Sequence, residues 1–240
     1  TEKAEINSGF FQKKIKDAYA KRADLLKTNT NSYRLLFGEN DGFPGLIADV
    51  YDKVLVVKLY SEIWLPYLDS IIPSLQETSR TETVVVRLSR SLENSSLHHI
   101  KNGEVVFGIL EDEVVNFVEH GVNFSANVIK GHKTGYFLDH RANRRQVGEW
   151  SKDKTVLDVT SLDISKQALD IAIENGKLNS YSGTHKTIAG DAFAELKKMI
   201  KQNISFDVVV IDPPSFAKQA SEINLAKKKY AQLAELGEQL

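Results

Sequence analysis

Hydrophobic positions in the first hundred residues follow two different periods. Between residues 8 and 27, apolar side chains recur at helical spacing with Lys and Arg between them, which predicts a basic amphipathic helix. The turn-forming stretch at 29–32 ends this helix. Apolar runs then predict strands, and a longer stretch bounded by prolines predicts a second helix. The strands fall at 33–37, 46–50, 54–60 and 84–88 and the helix at 64–76, typical of a small α+β domain.

Beyond residue 102 the pattern changes. Short strands at 105–110, 114–119 and 122–128 precede a loop at 131–135, and a helical pattern begins at 137. Strands then alternate with helices: strands at 155–159, 161–164, 187–189 and 206–212, helices at 166–178, 192–200 and 222–240. Strands that are apolar on both faces and alternate with helices predict a parallel sheet covered on both sides.

The expected fold class is therefore α/β, with a Rossmann-like domain preceded by a small α+β domain. We assign an N-terminal helix to 1–28, the α+β domain to 29–102 and the Rossmann-like domain, with a β-hairpin leading into it, to 103–240. The chain stops in a helix after only four parallel strands, so we expect the C-terminal part of this domain to be missing.

The stretch VLDVTSLDIS conflicts with this architecture. Residues 156–159 predict a buried strand and 161–164 the end of another, but neighbouring parallel strands need a crossover of about a dozen residues. We therefore expect a segment to be missing between Val159 and Ser161. The alternative is that the protein really is this short.

Composition narrows the functional classes. The 240 residues carry 31 Lys plus Arg against 32 Asp plus Glu, so RNA binding would need a local basic patch. Cysteine is absent, which excludes a disulfide scaffold and a thiolate metal site for these residues. No apolar stretch approaches the roughly 20 residues of a membrane span. We expect a cytoplasmic protein that has no membrane contact and requires no metal.

Two aspartates follow predicted parallel strands. Asp163 ends one strand before a helix, where a carboxylate can accept hydrogen bonds from both ribose hydroxyls of a nucleoside cofactor. Asp191 follows the next strand and could face an adenine amino group. Each could equally be the N-cap of the helix that follows it.

The sharpest motif is Asp212-Pro213-Pro214-Ser215-Phe216, at the end of the apolar run FDVVVID. Open α/β sheets bind ligands at this edge. The prolines keep the backbone extended, their carbonyls can accept hydrogen bonds from a base, and Phe216 can stack on it. A stiff turn without function is the alternative.

Four stretches resemble the class I methyltransferases that modify bases of large-subunit ribosomal RNA. They are YRLLFGENDGFPGLIADVYD, GHKTGYFLDHRANRR, SLDISKQALDIAIENGKLN and FDVVVIDPPSFAK, and KTGYFLDHR is the most specific. The resemblance covers most of the chain. It implies S-adenosylmethionine as cofactor and ribosomal RNA as substrate. Similar members methylate the 5-position of a cytosine in 23S ribosomal RNA, and a relative with the same core makes 7-methylguanine.

The resemblance also implies site residues. Asp212, Pro213, Pro214 and Phe216 would hold the target base. The sequence KTGYFLDHR at 133–141, called the KTG stretch below, would form one wall of the cofactor pocket. An Asp139–Arg141 pair would fix its loop. The expected cofactor residues are Lys133, Thr134, Gly135, Tyr136, Phe137, Leu138, Asp139, Arg141, Asp158, Asp163, Ile164, Asp191 and Ala192.

The chain departs from the family in two ways. The Gly-rich loop that wraps the methionine part of the cofactor should follow Asp158 and Val159, where the suspected gap lies. The cysteine nucleophile of cytosine-5 methylation is absent, so no residue can be named for that role. The oligomeric state stays open, with a homodimer as one option.

Three alternatives remain. A guanine-7 methyltransferase of the same core needs no cysteine. A non-catalytic RNA-binding module, with a degenerate cofactor pocket, is favoured if the protein itself lacks the segments that we expect to be missing. A small-molecule methyltransferase would show no salt-dependent RNA binding.

Overall fold

The computed structural model describes residues 5–95, 99–151, 158–180 and 183–240. The chain divides into two compact units, Thr1–Arg141 and Ala142–Leu240.

The first unit consists of a mixed sheet, a β-hairpin and flanking helices. The helices are α1 (Ser8–Ala20), α2 (Ala23–Leu26), α3 (Leu68–Ser79) and α4 (Arg90–Glu93), and the strands are β1 (Ser32–Phe37), β2 (Leu46–Tyr51), β3 (Val54–Leu59), β4 (Thr83–Leu88), β5 (Glu104–Phe107), β6 (Val114–Glu119) and β7 (Val122–Asn127). The four strands predicted before residue 89 are confirmed to within one residue at each end. The first predicted helix is interrupted at residues 21–22, where the Arg22 guanidinium binds Asp41 and the Arg34 carbonyl.

Five strands form one sheet in sequence order, β1-β2-β3-β4-β5. All neighbouring strands are antiparallel except β3 and β4. These two strands are parallel, and α3 lies between them in the sequence. The side chains of β3 and β4 alternate between two buried clusters. Leu55 and Val57 face the cluster that contains α1 and α3, while Val56 and Val85 face the cluster that contains the hairpin. These strands are continuous apolar runs because both faces of the sheet are covered.

The β6–β7 hairpin lies in the first unit, whereas the sequence placed it in the Rossmann-like domain from residue 103. Phe117 of β6 packs on Tyr51 at a ring-centroid distance of 5.3 Å. The backbone of β6 also binds β1, since the Val118 carbonyl accepts from Asn31 N and Ser32 Oγ. These long-range contacts leave no local trace in the hydrophobic pattern.

In its described residues, the second unit contains one pair of parallel strands and four α-helices. Its elements are α5 (Arg141–Trp150, which starts at the last residue of the first unit), β8 (Asp158–Asp163), α6 (Lys166–Lys177), β9 (Thr184–Ala189), α7 (Ala192–Lys201) and α8 (Ile223–Glu238). Strands β8 and β9 pair in register from Asp158–Thr184 to Asp163–Ala189. The strand–helix–strand–helix order is the one that the sequence predicts.

Two predictions for this unit need correction. The two strands expected in VLDVTSLDIS are, within the described residues, the single strand β8, so no crossover is required there. The run 206–212 is not a strand, and Val210 is 61% exposed. A strand needs a neighbour for its backbone hydrogen bonds. In the described part of this unit the sheet contains only β8 and β9. The residues predicted at 155–157 lie outside the described ranges.

Candidate active site

The KTG stretch is anchored in the first unit through Thr134, whose side chain is buried. Its hydroxyl donates to Asp49 Oδ2 at 2.6 Å. Because that proton is used, the Tyr51 hydroxyl is the donor in its 2.8 Å contact with Thr134 Oγ1. Arg34 completes the network, with Nε and Nη2 at 2.8 and 2.9 Å from the two Asp49 oxygens. A fully buried carboxylate thus ties the candidate cofactor loop to strands β1 and β2.

Burial and charge shape the titration of this network. Burial raises the pKa of Tyr51 far above its ordinary value, and the charge of Asp49 raises it further. Burial lowers the pKa of Arg34, but its hydrogen bonds to Asp49 outweigh this and leave the pKa raised. Tyr51 is therefore a hydrogen-bond donor at any physiological pH, and Arg34 remains charged.

Lys133 and Asp139 pair across the loop. Lys133 Nζ lies 2.8 and 2.7 Å from the two Asp139 oxygens and 4.2 Å from the centre of the Phe137 ring. Burial raises the pKa of Asp139, but the hydrogen bonds from Lys133 overcome this and lower it. The expected Asp139–Arg141 pair is thus replaced, because Arg141 turns toward Glu119 (3.3 Å) and the Ser32 carbonyl (2.8 Å).

The side chains that follow Gly135 take different directions. Tyr136 packs among the hairpin aromatics, 5.0 Å from Phe117 and 5.4 Å from Phe124 between ring centroids. Leu138 is buried, whereas Phe137 is 43% exposed. Of the two aromatic residues expected to touch a ligand, only Phe137 presents its ring to the surface. Beside it lies a cavity of about 180 Å³, lined by Arg34, Phe37, Leu138, Asp139 and Arg141.

Gly135 allows a close approach to β7. Its φ is 134°, and a Cβ there would lie 3.0 Å from the Asn127 carbonyl oxygen and 3.2 Å from Ala126 Cβ. We expect Gly135→Ala to destabilise the protein by about 1–3 kcal/mol, since it adds backbone strain to a steric clash. Gly148→Ala is the matched control: it lies in α5 with nothing within 4 Å, so it should leave stability unchanged or raise it. Urea unfolding of both variants tests this, and equal midpoints would contradict it.

In the second unit, Asp163 and Asp191 lie at the carboxyl ends of paired parallel strands. Asp163 is the last residue of β8, and its carbonyl accepts from Gly190 N at 3.1 Å. The N-cap of α6 is Ser165, so Asp163 is not the cap; its exposed carboxylate accepts only locally, from Ser165 N at 2.7 Å. Asp191 is the N-cap of α7 and accepts from Ala194 N at 3.0 Å. The capping alternative therefore holds for Asp191 and fails for Asp163.

The Asp212–Phe216 stretch is a loop fastened by α8. The Tyr230 hydroxyl accepts from Phe216 N at 3.2 Å and donates to the Pro214 carbonyl at 3.4 Å. The Phe216 ring lies 4.7 Å from that of Tyr230 and 6.1 Å from that of Phe193. One of the carbonyls expected to bind a base is thus engaged by Tyr230, and Phe216 is half-buried between protein rings.

Tyr230→Phe removes both hydrogen bonds and keeps the ring. We expect a loss of about 1 kcal/mol in stability and faster hydrogen exchange at the Phe216 amide. Exchange measured by mass spectrometry checks this. The control is Tyr67→Phe in the first unit, since the Tyr67 hydroxyl has no hydrogen-bond partner among the described residues. Unchanged exchange at Phe216 would show that Tyr230 does not hold the loop.

The other expected site residues occupy different settings. Ile164 is 81% exposed, Ala192 is the first residue of α7, and Asp158 begins β8, with its side chain outside the described part. Arg34, Asp49, Tyr51 and Tyr230 were missed by the sequence reasoning. In the described ranges, no group of three or more His, Asp or Glu could hold a metal ion. No helix of those ranges is long and apolar enough to cross a bilayer.

Solved structures establish the class of fold. A methyltransferase crystallised with SAH has a TM-score of 0.79 at 20% identity, covering 99% of this chain and 66% of that one. An S-adenosylmethionine-dependent methyltransferase from Streptococcus mutans has a TM-score of 0.74 at 17% identity, covering 99% and 73%. The predicted α/β, Rossmann-like fold class is confirmed.

Sequence comparison then identifies the relatives. A ribosomal RNA large subunit methyltransferase of Deinococcus radiodurans is 37% identical over 259 residues, covering 97% of this chain and 64% of that protein. Ribosomal RNA large subunit methyltransferase I of Vibrio vulnificus is 31% identical over 262 residues, covering 100% and 66%. Residues 154–237 match the family described as Conserved hypothetical protein 95. By sequence the chain is similar to ribosomal RNA large subunit methyltransferases, and the resemblance seen in its motifs is confirmed.

The chain spans just under two thirds of the length of these relatives. The Vibrio alignment runs over 262 residues, whereas the chain has 240. That relative therefore has residues within the aligned stretch that this chain lacks.

Proposed function

We propose that the chain is the catalytic part of an S-adenosylmethionine-dependent enzyme that methylates a base of large-subunit ribosomal RNA, with C-5 of a 23S cytosine as the target. The observation that carries this is the pair of acidic residues at the ends of β8 and β9, in a chain 37% identical to such a methyltransferase. The Asp163 carboxylate is exposed and uses one oxygen on Ser165 N. It thus retains acceptor capacity for ribose hydroxyls.

The cofactor, when bound, supplies an electrophilic methyl group. Asp163 would accept hydrogen bonds from the ribose of the cofactor, and Asp191 would face its adenine. Within these residues no Gly-rich loop follows Val159, so the chain's fit to the cofactor is best at the nucleoside end.

The Asp212–Phe216 loop would receive the target base. Asp212 would hold the polar edge of a base unstacked from the RNA, and Tyr230 keeps the loop in one conformation. Catalysis by these groups is mainly positioning of the base against the methyl donor. The 240 residues contain no cysteine to add to a cytosine ring, and this observation favours guanine N7 as the second candidate target.

The test is methylation of unmodified 23S ribosomal RNA with radiolabelled S-adenosylmethionine, followed by nucleoside analysis. Labelled 5-methylcytosine supports the first target and labelled 7-methylguanine the second. Cofactor binding is measured separately by calorimetry. RNA binding without cofactor binding would replace the enzyme with a non-catalytic RNA-binding module, and methylation of small molecules alone would exclude RNA as the substrate.

A further inference from the structure

The first unit contains a groove at the carboxyl ends of its two parallel strands. Its volume is about 620 Å³, and it is bordered by the ends of β3 and β4, by α4 and by the loop after β7. Five Lys or Arg side chains line it against one acidic residue, Glu93. The basic residues are Lys58, Arg87, Arg90, Lys130 and Lys133.

Two of these cations, the buried Arg87 and the half-buried Lys58, have no anionic partner at ion-pair distance among the described residues. Arg87 donates to Asn102 Oδ1 (3.2 Å) and to the carbonyls of Val128 (3.1 Å) and Gly131 (3.2 Å), all of them neutral. Lys58 Nζ donates to the Lys133 carbonyl at 2.9 Å. Among the described residues no carboxylate lies within 4 Å of either side chain. The groove therefore keeps a positive charge that the protein does not neutralise locally.

The titration of the two groups agrees with this geometry. Burial lowers the pKa of Lys58, and the neighbouring charge of Arg87 lowers it further, with only Glu93 opposing. Burial likewise lowers the pKa of Arg87. Lys130 and Lys133 differ, because each pairs with a carboxylate, Glu113 and Asp139 respectively. A bound anion would relieve the repulsion between Lys58 and Arg87.

We propose that this groove binds the phosphodiester backbone of a single-stranded segment of the RNA substrate. The proposal rests on the proposed function for its choice of anion. Phosphate is the group that such a cluster recognises, and Arg87 is held rigidly enough to present its charge in one place. Tyr60 is 47% exposed at the groove, with Lys58 Nζ 5.5 Å from its ring centre, so an aromatic face lies beside the cations. Basic grooves with aromatic side chains are typical of single-strand binding sites.

The position of the groove also suits this role. Lys58 donates to the carbonyl of Lys133, which is the first residue of the KTG stretch. The next residue, Thr134, donates its hydroxyl to Asp49. An RNA backbone in the groove would therefore lie against the candidate cofactor loop. This places the RNA in the groove rather than on the basic first helix, next to which Lys21 is already paired with Asp41.

The experiment measures binding of a short fluorescent single-stranded RNA by anisotropy over a range of salt concentrations. Lys58→Gln and Arg90→Gln each remove one groove charge, and Arg90 is exposed, so its replacement is not expected to affect folding. We expect each variant to bind about 3- to 10-fold more weakly and to reduce the slope of log K against log salt by about 0.7, the value for one single-strand phosphate contact. Lys53→Gln is the matched control, because Lys53 lies in the turn before the opposite end of β3.

The outcomes separate this site from the proposed function. Unchanged affinity in both groove variants, or an equal loss in Lys53→Gln, overturns the groove. A loss confined to Lys13→Gln and Lys16→Gln on α1 also overturns the groove and assigns RNA binding to the first helix instead. In both cases methylation by the wild-type chain can still support the proposed function. If the wild-type chain binds S-adenosylmethionine but no RNA, both the groove and the RNA substrate fail.

Discussion

Replacing Asp49 by alanine is expected to destabilise the first unit by about 3–5 kcal/mol, the largest effect on stability that we expect from a single side chain. Asp49 is fully buried and accepts from Arg34 at 2.8 and 2.9 Å and from Thr134 at 2.6 Å. Alanine leaves the Arg34 guanidinium without its counter-ion and the Thr134 hydroxyl without its acceptor, both inside the protein. The cost of an unpaired buried charge dominates the expected effect.

Urea unfolding followed by circular dichroism measures this loss. Glu82→Ala is the control, because Glu82 also forms an ion pair, with Lys53 at 2.7 Å, but both partners are exposed. An exposed pair contributes only about 0–1 kcal/mol. Asp49→Asn should fall between the two, since the amide fills the same space and loses the charge. Equal unfolding free energies for Asp49→Ala and Glu82→Ala would show that burial of the network does not determine its contribution.

Asp49 also shows where sequence reasoning falls short. The strand LIADVY is predictable because its apolar residues favour a strand, and its bounds are confirmed within one residue. The role of its one charged residue depends on the register, which places Arg34 of β1 opposite Asp49 of β2. A charged residue within an apolar strand signals a partner, but the identity of that partner requires the pairing. Tyr230 is a harder case, since nothing in the pattern of α8 connects it with Pro214 and Phe216, which lie 16 and 14 residues earlier.

The run FDVVVID shows the opposite limit. Its residues favour a strand by composition, and the sequence predicts one. A parallel strand is stable only with a neighbour, and in the described part of the second unit β8 pairs with β9 alone. Val209, Val210 and Ile211 consequently remain exposed. Local preference predicts what a segment can form, whereas the number of strands available decides whether it does.

Asp163→Ala is expected to weaken binding of S-adenosylmethionine by at least about 100-fold, because a carboxylate that accepts two ribose hydroxyls contributes about 1.5–3 kcal/mol for each charge-assisted hydrogen bond. The change should leave the fold intact. Asp163 is exposed, its carboxylate accepts from Ser165 N, and Ser165 rather than Asp163 caps α6. Asp191→Ala is less informative, since it also removes the cap of α7.

Titration calorimetry with the wild-type chain and the variant gives the two dissociation constants. Asp170→Ala on the exposed face of α6 is the control, because it removes the same charge a short distance along the chain without removing the proposed ribose acceptor. A 100-fold loss in Asp163→Ala with no loss in Asp170→Ala assigns the effect to a direct contact rather than to net charge. If both variants bind as tightly as the wild-type chain, the nucleoside end of the cofactor does not lie at the end of β8, and the assignment of Asp163 as the ribose ligand is wrong. Equal losses in both would mean that the effect is electrostatic and long-range, in which case it should disappear as salt is raised.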